Sequence, residues 1–138
     1  VLVANHAAPG KRPRSSMSPT IALGADGSFR MATGSPGGNS IIAYTAKTLV
    51  GVFDWGLSAQ EAVDLPNVVA RSEPIRIESD RADPAMISAM QAHGFEVRES
   101  AGENSGLSVI VRREDGRLEG GVDPRREGTI AILPAAVE

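Results

Sequence analysis

Apolar and polar positions alternate over two short runs, Thr20–Leu23 and Ser28–Thr33, joined at Ala25-Asp26-Gly27. This is the signature of a β-hairpin with an Asp-Gly turn. From Asn39 to Trp55 the period changes. Ile41, Ile42, Thr45, Leu49, Val52 and Phe53 recur at helical spacing, and Gly56 supplies a stop. Tyr44, Phe53 and Trp55 on this helix read as core residues. A second helix opens at Ser58, where Ser58 and Glu61 have the spacing of a capping box, and it ends before Pro66. Asn67–Arg71 and Ile75–Glu78 read as short strands on either side of Glu73-Pro74. Asp83-Pro84 starts a third helix, with Asp as N-cap and Pro in the first turn. Met86, Ile87 and Met90 form its apolar face, and Gly94 closes it. Phe95–Glu99, Leu107–Arg112, Arg117–Val122 and Thr129–Leu133 then read as antiparallel strands, with Glu114-Asp115-Gly116 as another hairpin turn. The opening Val1–Lys11 reads as a strand remnant or loop with a Pro9-Gly10 turn. This order predicts an α+β chain over residues 1–138, a single domain with helices packed on a largely antiparallel sheet.

Composition changes the picture only by exclusion. With 138 residues, 41% of them hydrophobic, the chain can build one real core. No apolar run reaches the length of a membrane span. There is no cysteine, which removes disulfides and thiolate chemistry. No His/Asp/Glu spacing reads as a metal site, and no cofactor is implied. The net charge of −3 is unevenly spread. Up to Gly56 the basic groups Lys11, Arg12, Arg14, Arg30 and Lys47 face only Asp26 and Asp54. That local positive charge suits an anionic small molecule. It falls short of a nucleic-acid footprint, since the basic cluster carries no aromatic residues and the protein is acidic.

Two segments carry candidate chemistry. Pro13 and Pro19 hold the intervening residues extended or turned, and Ser15-Ser16 lie between them. Serines in such a segment ordinarily serve as turn residues. Their hydroxyls and N–H groups could also grip a carboxylate. His6 and His93 are the only histidines and neither is near the serines in sequence, so a Ser-His-Asp triad is not supported. Gly34-Ser35-Pro36-Gly37-Gly38 is not a P-loop, because no Lys-Ser/Thr follows at the needed spacing. Alone it is a tight turn. Ahead of a long apolar helix, the N–H groups of Gly37 and Gly38 could instead hold developing negative charge. Asp64 and Asp123 read as cap or turn residues, and His93 as a helix C-terminal residue.

Together these motifs resemble the γ-glutamyltransferase (γ-glutamyltranspeptidase) family. Pro9-Gly10-Lys11-Arg12-Pro13 with Ser15-Ser16-Met17-Ser18-Pro19-Thr20 is similar to that family's small-subunit segment, and Gly34–Gly38 follows at the expected separation. Glu61-Ala62-Val63-Asp64 with Pro66, and Asp123-Pro124-Arg125, extend the likeness over nearly the whole chain. The resemblance implies part of an N-terminal-nucleophile-hydrolase αββα sandwich. It implies a precursor that cleaves itself and an N-terminal Thr that attacks γ-glutamyl amides such as glutathione, passing the acyl group to water or an amine. Ser15 and Ser16 would then bind the substrate α-carboxylate, and Gly37 and Gly38 would supply the oxyanion hole. Thr20, Thr33, Thr45, Thr48 and Thr129 are internal, and Val1 has no hydroxyl, so no nucleophile is expected in this chain. It corresponds to the later part of a small subunit, expected to be inactive alone. Its implied partners are the large subunit and the upstream part of the small subunit, and missing strands leave an edge open to self-association. Arg14 stands where the family commonly has an apolar residue. Relatives acting on other amides, such as β-lactam side chains, and a non-catalytic binding or assembly module, are the alternatives. Family resemblance implies a periplasmic or secreted location.

Overall fold

The computed structural model describes residues 9–10 and 15–132. Pro9-Gly10 forms a turn. The remainder of the expected Val1–Lys11 element lies outside the described residues, as do Lys11, Arg12, Arg14 and Leu133. The hairpin forms as the alternation requires: β1 (Thr20–Leu23) pairs antiparallel with β2 (Phe29–Gly34). In its turn, the Asp26 carboxylate accepts from the Ser28 N–H at 3.0 Å. A 3₁₀ turn over Gly38–Ser40 leads into α1 (Ile41–Phe53). Helix α2 (Ala59–Asp64) has the full capping box, with the Ser58 hydroxyl accepting from the Glu61 N–H at 3.1 Å and the Glu61 carboxylate accepting from the Ser58 N–H at 2.8 Å.

The chain then builds β3 (Val68–Val69), β4 (Ile75–Glu78), α3 (Pro84–Ala92) and β5 (Val97–Ser100). It finishes with β6 (Ser108–Arg112) and β7 (Leu118–Val122). Two sheets result, with strand orders β1-β2-β6-β7 and β3-β4-β5. The first is antiparallel throughout. In the second, β4 and β5 run parallel, joined through α3. This corrects the expectation of an antiparallel strand at Phe95–Glu99, because a helical crossover returns the chain in the same direction. Thr129–Ile132 forms no strand among the described residues, although Ile130 packs over Gly120 in β7.

The core lies on one face of the first sheet. Met31, Val109 and Val111 point inward against Tyr44, Val52, Ala59, Ala62 and Val63 from α1 and α2. Close approach is possible where β7 carries no side chain: a Cβ on Gly121 would lie 2.6 Å from the Ala59 carbonyl oxygen. The opposite face stays open, with Ile21 70% and Ile110 49% exposed. Ile77, Ala82 and Ile87 form a smaller core beneath the second sheet. Phe53, Trp55 and Met86 are exposed, contrary to the sequence reading. The stripe of α1 that faces the sheet is Tyr44, Thr45, Thr48 and Val52, and Phe53 falls about 100° beyond it.

Candidate active site

The hairpin does the first positioning. Thr20 faces Thr33, so the segment before β1 and the segment after β2 leave the sheet at the same end. The two segments are close where they leave the sheet, and the Pro19 Cα lies 3.9 Å from where a Cβ on Gly34 would sit. The Thr20 hydroxyl donates to the Ser18 carbonyl at 3.1 Å, and the Ser18 hydroxyl reaches Thr45 on α1 at 3.5 Å. Ser15 is exposed and its Oγ accepts from the Met17 N–H at 3.2 Å, a local turn contact; Ser16 is half-buried. The segment that carries the two serines and the loop that carries the glycines thus leave the sheet at the same end.

Gly37 and Gly38 have φ of +135° and +56°, in the region that favours glycine. A Cβ on Gly37 would lie 2.5 Å from the Tyr44 ring, whereas one on Gly38 would meet open space. Ser40 N–H donates to the Gly37 carbonyl at 3.2 Å. Among the described residues, neither the Gly37 nor the Gly38 N–H finds an acceptor. They sit where the amino end of the 3₁₀ turn and of α1 concentrates partial positive charge. The α-helix itself starts at Ile41, later than the sequence pattern suggests. The loop is tied down by Ser35, whose Oγ donates to the Pro36 carbonyl at 2.6 Å and accepts from the Gly106 N–H at 3.0 Å.

Beside this loop lies a network that sequence reading did not find. Tyr44 O–H donates to Glu103, Arg76 pairs with the same carboxylate, and Arg76 also donates to Ser40 Oγ at 2.8 Å. The Glu103 side chain is 5% exposed. Burial pushes its carboxyl up, but donation from Arg76 and Tyr44 and the guanidinium charge outweigh that and hold it below its ordinary value. Burial and the Glu103 carboxylate push the Tyr44 phenol up, so it remains a donor at neutral pH.

A second network fills the space between α2, β4 and the end of β7. Arg125 donates to Glu78 at 2.6 and 2.5 Å and to Asp123 at 3.0 Å. Asp123 also accepts from Ser105 Oγ at 2.6 Å and the Leu107 N–H at 3.2 Å. Asp123 is the turn acceptor that the sequence suggested, since it takes the Arg125 N–H at 3.0 Å, but it is buried as well. Its pairing with Arg125 was not legible as a core feature. The spacing that could have revealed it is Asp-Pro-Arg, which turns the chain and brings the Arg back onto its own acceptor.

Lys47 adjoins this cluster, donating to the Val63 and Leu65 carbonyls at 3.0 and 2.7 Å. Burial, and then the charge of Arg125, lower its pKa from 10.5 to about 7, against the opposing pull of Asp123 and Glu78. Arg81 adds to the lowering. The folded state therefore holds this proton less tightly than the unfolded chain. Stability contributed through Lys47 should rise with pH between about 7 and 10.5 and be flat below. Arg125 also donates to both carbonyls, so Lys47→Met leaves neither without a partner. Urea midpoints measured from pH 6 to 9 should climb more steeply in the wild type than in Lys47→Met. Parallel curves contradict the assignment.

An open apolar groove of about 830 Å³ lies between α1 and α3, lined by Ile42, Val50, Trp55, Met86 and Met90 with Lys47 at its side. Ser15, Ser16, Gly37 and Gly38 do not line it. Among the described residues, no group of three or more His, Asp or Glu side chains could hold a metal ion. Among those residues, no helix is long and apolar enough to cross a membrane.

Comparison with known proteins gives a consistent result. The family model described as gamma-glutamyltranspeptidase matches residues 2–133. The chain is 37% identical over 123 residues to the glutathione hydrolase proenzyme of Escherichia coli (strain K12), covering 88% of this chain and 21% of that protein. It is 34% identical over 122 residues to the acylase ACY 1 proenzyme of Pseudomonas sp. (strain SE83), covering 88% and 22% respectively. Among solved structures, a gamma-glutamyltranspeptidase from Pseudomonas nitroreducens complexed with L-DON superposes with a TM-score of 0.78 at 27% identity. That match covers 94% of this chain and 68% of the other. The chain spans about a fifth of the length of each of these two proenzymes.

Proposed function

Because this chain belongs to the gamma-glutamyltranspeptidase family, we propose that it forms the later part of a small subunit and supplies two elements of the active site. Ser15 and Ser16 hold the α-carboxylate of a γ-glutamyl group, and the N–H groups of Gly37 and Gly38 stabilise the oxyanion. The observation that carries this reading is the pair of glycine N–H groups at the head of α1 that find no acceptor among the described residues, on a loop that leaves the sheet at the same end as the serine segment. Donors fixed in this way cost no reorganisation when charge develops, and each is worth about 3–4 kcal/mol to a transition state.

The nucleophile is an N-terminal Thr on a part of the complete protein outside this sequence. Thr20, Thr33, Thr45 and Thr48 lie within β1, β2 and α1, where each nitrogen is a backbone amide and cannot act as a base. A free α-amine takes the Thr hydroxyl proton as the oxygen attacks the amide carbonyl. The carbonyl oxygen becomes an oxyanion at the glycine pair, and collapse expels the amine with that proton. Water or another amine then attacks the γ-glutamyl ester and releases the Thr. The proposed partners are the large subunit and the upstream part of the small subunit. The open face of the first sheet, with Ile21, Ile110 and Ile130 exposed, offers the apolar surface that a second sheet stacks on.

In the complete protein, Ser15→Ala and Ser16→Ala should raise KM for a γ-glutamyl anilide at least tenfold, with kcat within about threefold, since each removes binding shared by ground and transition states. Unchanged kinetics in both variants contradict the assignment. The same variants assayed on a neutral acyl amide separate the γ-glutamyl reading from an acylase. A protein that prefers the neutral amide and ignores both substitutions belongs with the acylases.

A further inference from the structure

Gly37 lies directly on the ring of Tyr44, and the ring is held from its far end. A Cβ on Gly37 would be 2.5 Å from Tyr44 Cε2 and 3.1 Å from Cδ2. The Tyr44 hydroxyl donates to Glu103, which is also paired with Arg76. Arg76 in turn donates to Ser40 Oγ at 2.8 Å, and the Ser40 N–H closes the 3₁₀ turn onto the Gly37 carbonyl at 3.2 Å. The circuit therefore meets the glycine loop at two points, through the aromatic ring on one side and through Ser40 on the other.

We infer that Tyr44, braced by Glu103 and Arg76, is a positioning residue that sets where the Gly37 and Gly38 N–H groups point. The inference rests on the proposed role of those glycines. Two glycines in succession have little intrinsic preference for the conformation they adopt, so the loop takes its aim from what it rests on. Tyr44 supplies a rigid floor with two χ angles, and the Glu103–Arg76 pair fixes the ring at its hydroxyl end. A displacement of about 1 Å at a reacting centre can cost about 100-fold in rate.

The test is pre-steady-state hydrolysis of γ-glutamyl-p-nitroanilide by the complete processed protein. Burst amplitude counts molecules able to acylate, and burst rate reads stabilisation of the oxyanion. Tyr44→Leu should slow the burst about 100-fold, with KM within about threefold of the wild type. Tyr44→Phe, which keeps the ring but loses its bond to Glu103, should recover part of that loss and leave the burst about tenfold slower than in the wild type. Glu103→Gln, which leaves the ring in place but weakens its brace, should slow the burst about tenfold. A merely structural role would lower the amplitude and leave the rate of the surviving molecules unchanged, and that result in both Tyr44→Leu and Glu103→Gln overturns the inference. Should Tyr44→Leu fail to fold, an unchanged burst rate in Glu103→Gln is sufficient to overturn it. A wild type that does not turn over the anilide at all overturns the functional reading beneath it, a distinct outcome.

Discussion

Gly37→Ala in the complete protein is expected to cut turnover of a γ-glutamyl amide by about 10²- to 10³-fold, the loss that follows when an oxyanion donor is removed. Two effects act together at this position. The backbone sits at φ +135°, where a side chain is strained, and the new methyl would lie 2.5 Å from the Tyr44 ring. The loop must move, and both N–H groups move with it. Gly38 differs in one respect. Its φ of +56° also disfavours alanine, at about 1–2 kcal/mol, but the methyl meets open space. Turnover should therefore fall further in Gly37→Ala than in Gly38→Ala, and in both the loss should be in kcat more than in KM. Steady-state kinetics of the two variants provides the check. Equal losses, or a loss confined to KM, contradict the geometry.

The second large effect concerns stability. Arg125 is 4% exposed at its side chain and lies between Glu78 and Asp123, each 1% exposed. Burying three charges is costly in itself, so the cluster is not a strong net source of stability. Removing its centre is another matter. Arg125→Met leaves the Asp123 carboxylate in a low-dielectric site without its counter-ion and Glu78 with only Arg81, at 3.6 Å, a loss of about 3–5 kcal/mol. That is a large part of the 5–15 kcal/mol by which domains are ordinarily stable. Urea unfolding should show a lower midpoint with little change in slope. Acid should act on the same site. Burial pushes the Asp123 carboxyl up, but the Ser105 hydroxyl, the Arg125 and Leu107 N–H groups and the Arg125 guanidinium outweigh it and hold its pKa below the ordinary 3.8. Stability from Asp123 is therefore full above that value and is lost as pH falls through its lowered pKa. A midpoint within experimental error of the wild type in Arg125→Met contradicts the role given to this cluster.

The features legible in the sequence are those fixed by neighbouring residues. The Asp26-Gly27 hairpin, the Ser58/Glu61 capping box and the Asp83-Pro84 helix start each depend on side chains bonding to backbone a few positions away. The strands Ile75–Glu78 and Phe95–Glu99 are also legible, but their relative direction is not. Val97–Ser100, the parallel partner of Ile75–Glu78, lies beyond α3, and nothing local marks direction. The expected strand Asn67–Arg71 shrinks to Val68–Val69; at its start the Asn67 N–H goes to the buried Glu78 carboxylate at 3.0 Å, while the Asn67 carbonyl still accepts from the Glu78 N–H.

The same distinction applies to the candidate site. Ser15-Ser16 and Gly37-Gly38 stand out because each pair is a compact motif, and hairpin register makes their two segments leave the sheet at the same end. Their supports do not stand out. Glu103 is 59 residues from Tyr44 and 27 from Arg76, and it sits in a loop with no pattern of its own. Trp55 and Phe53 failed in the opposite direction. Their apolar character argues for the core, but Phe53 is turned away from the sheet at the end of α1 and Trp55 lies past that end.

The most direct test of a shared active site is intact-mass analysis and N-terminal sequencing of the processed protein from its source. The sample is acid-quenched during turnover of a γ-glutamyl anilide. The expected result is a small subunit that contains this chain, begins with Thr and carries the mass of one γ-glutamyl group on that residue. A processed protein without an N-terminal Thr, or one that carries the acyl group on another residue, contradicts the reading.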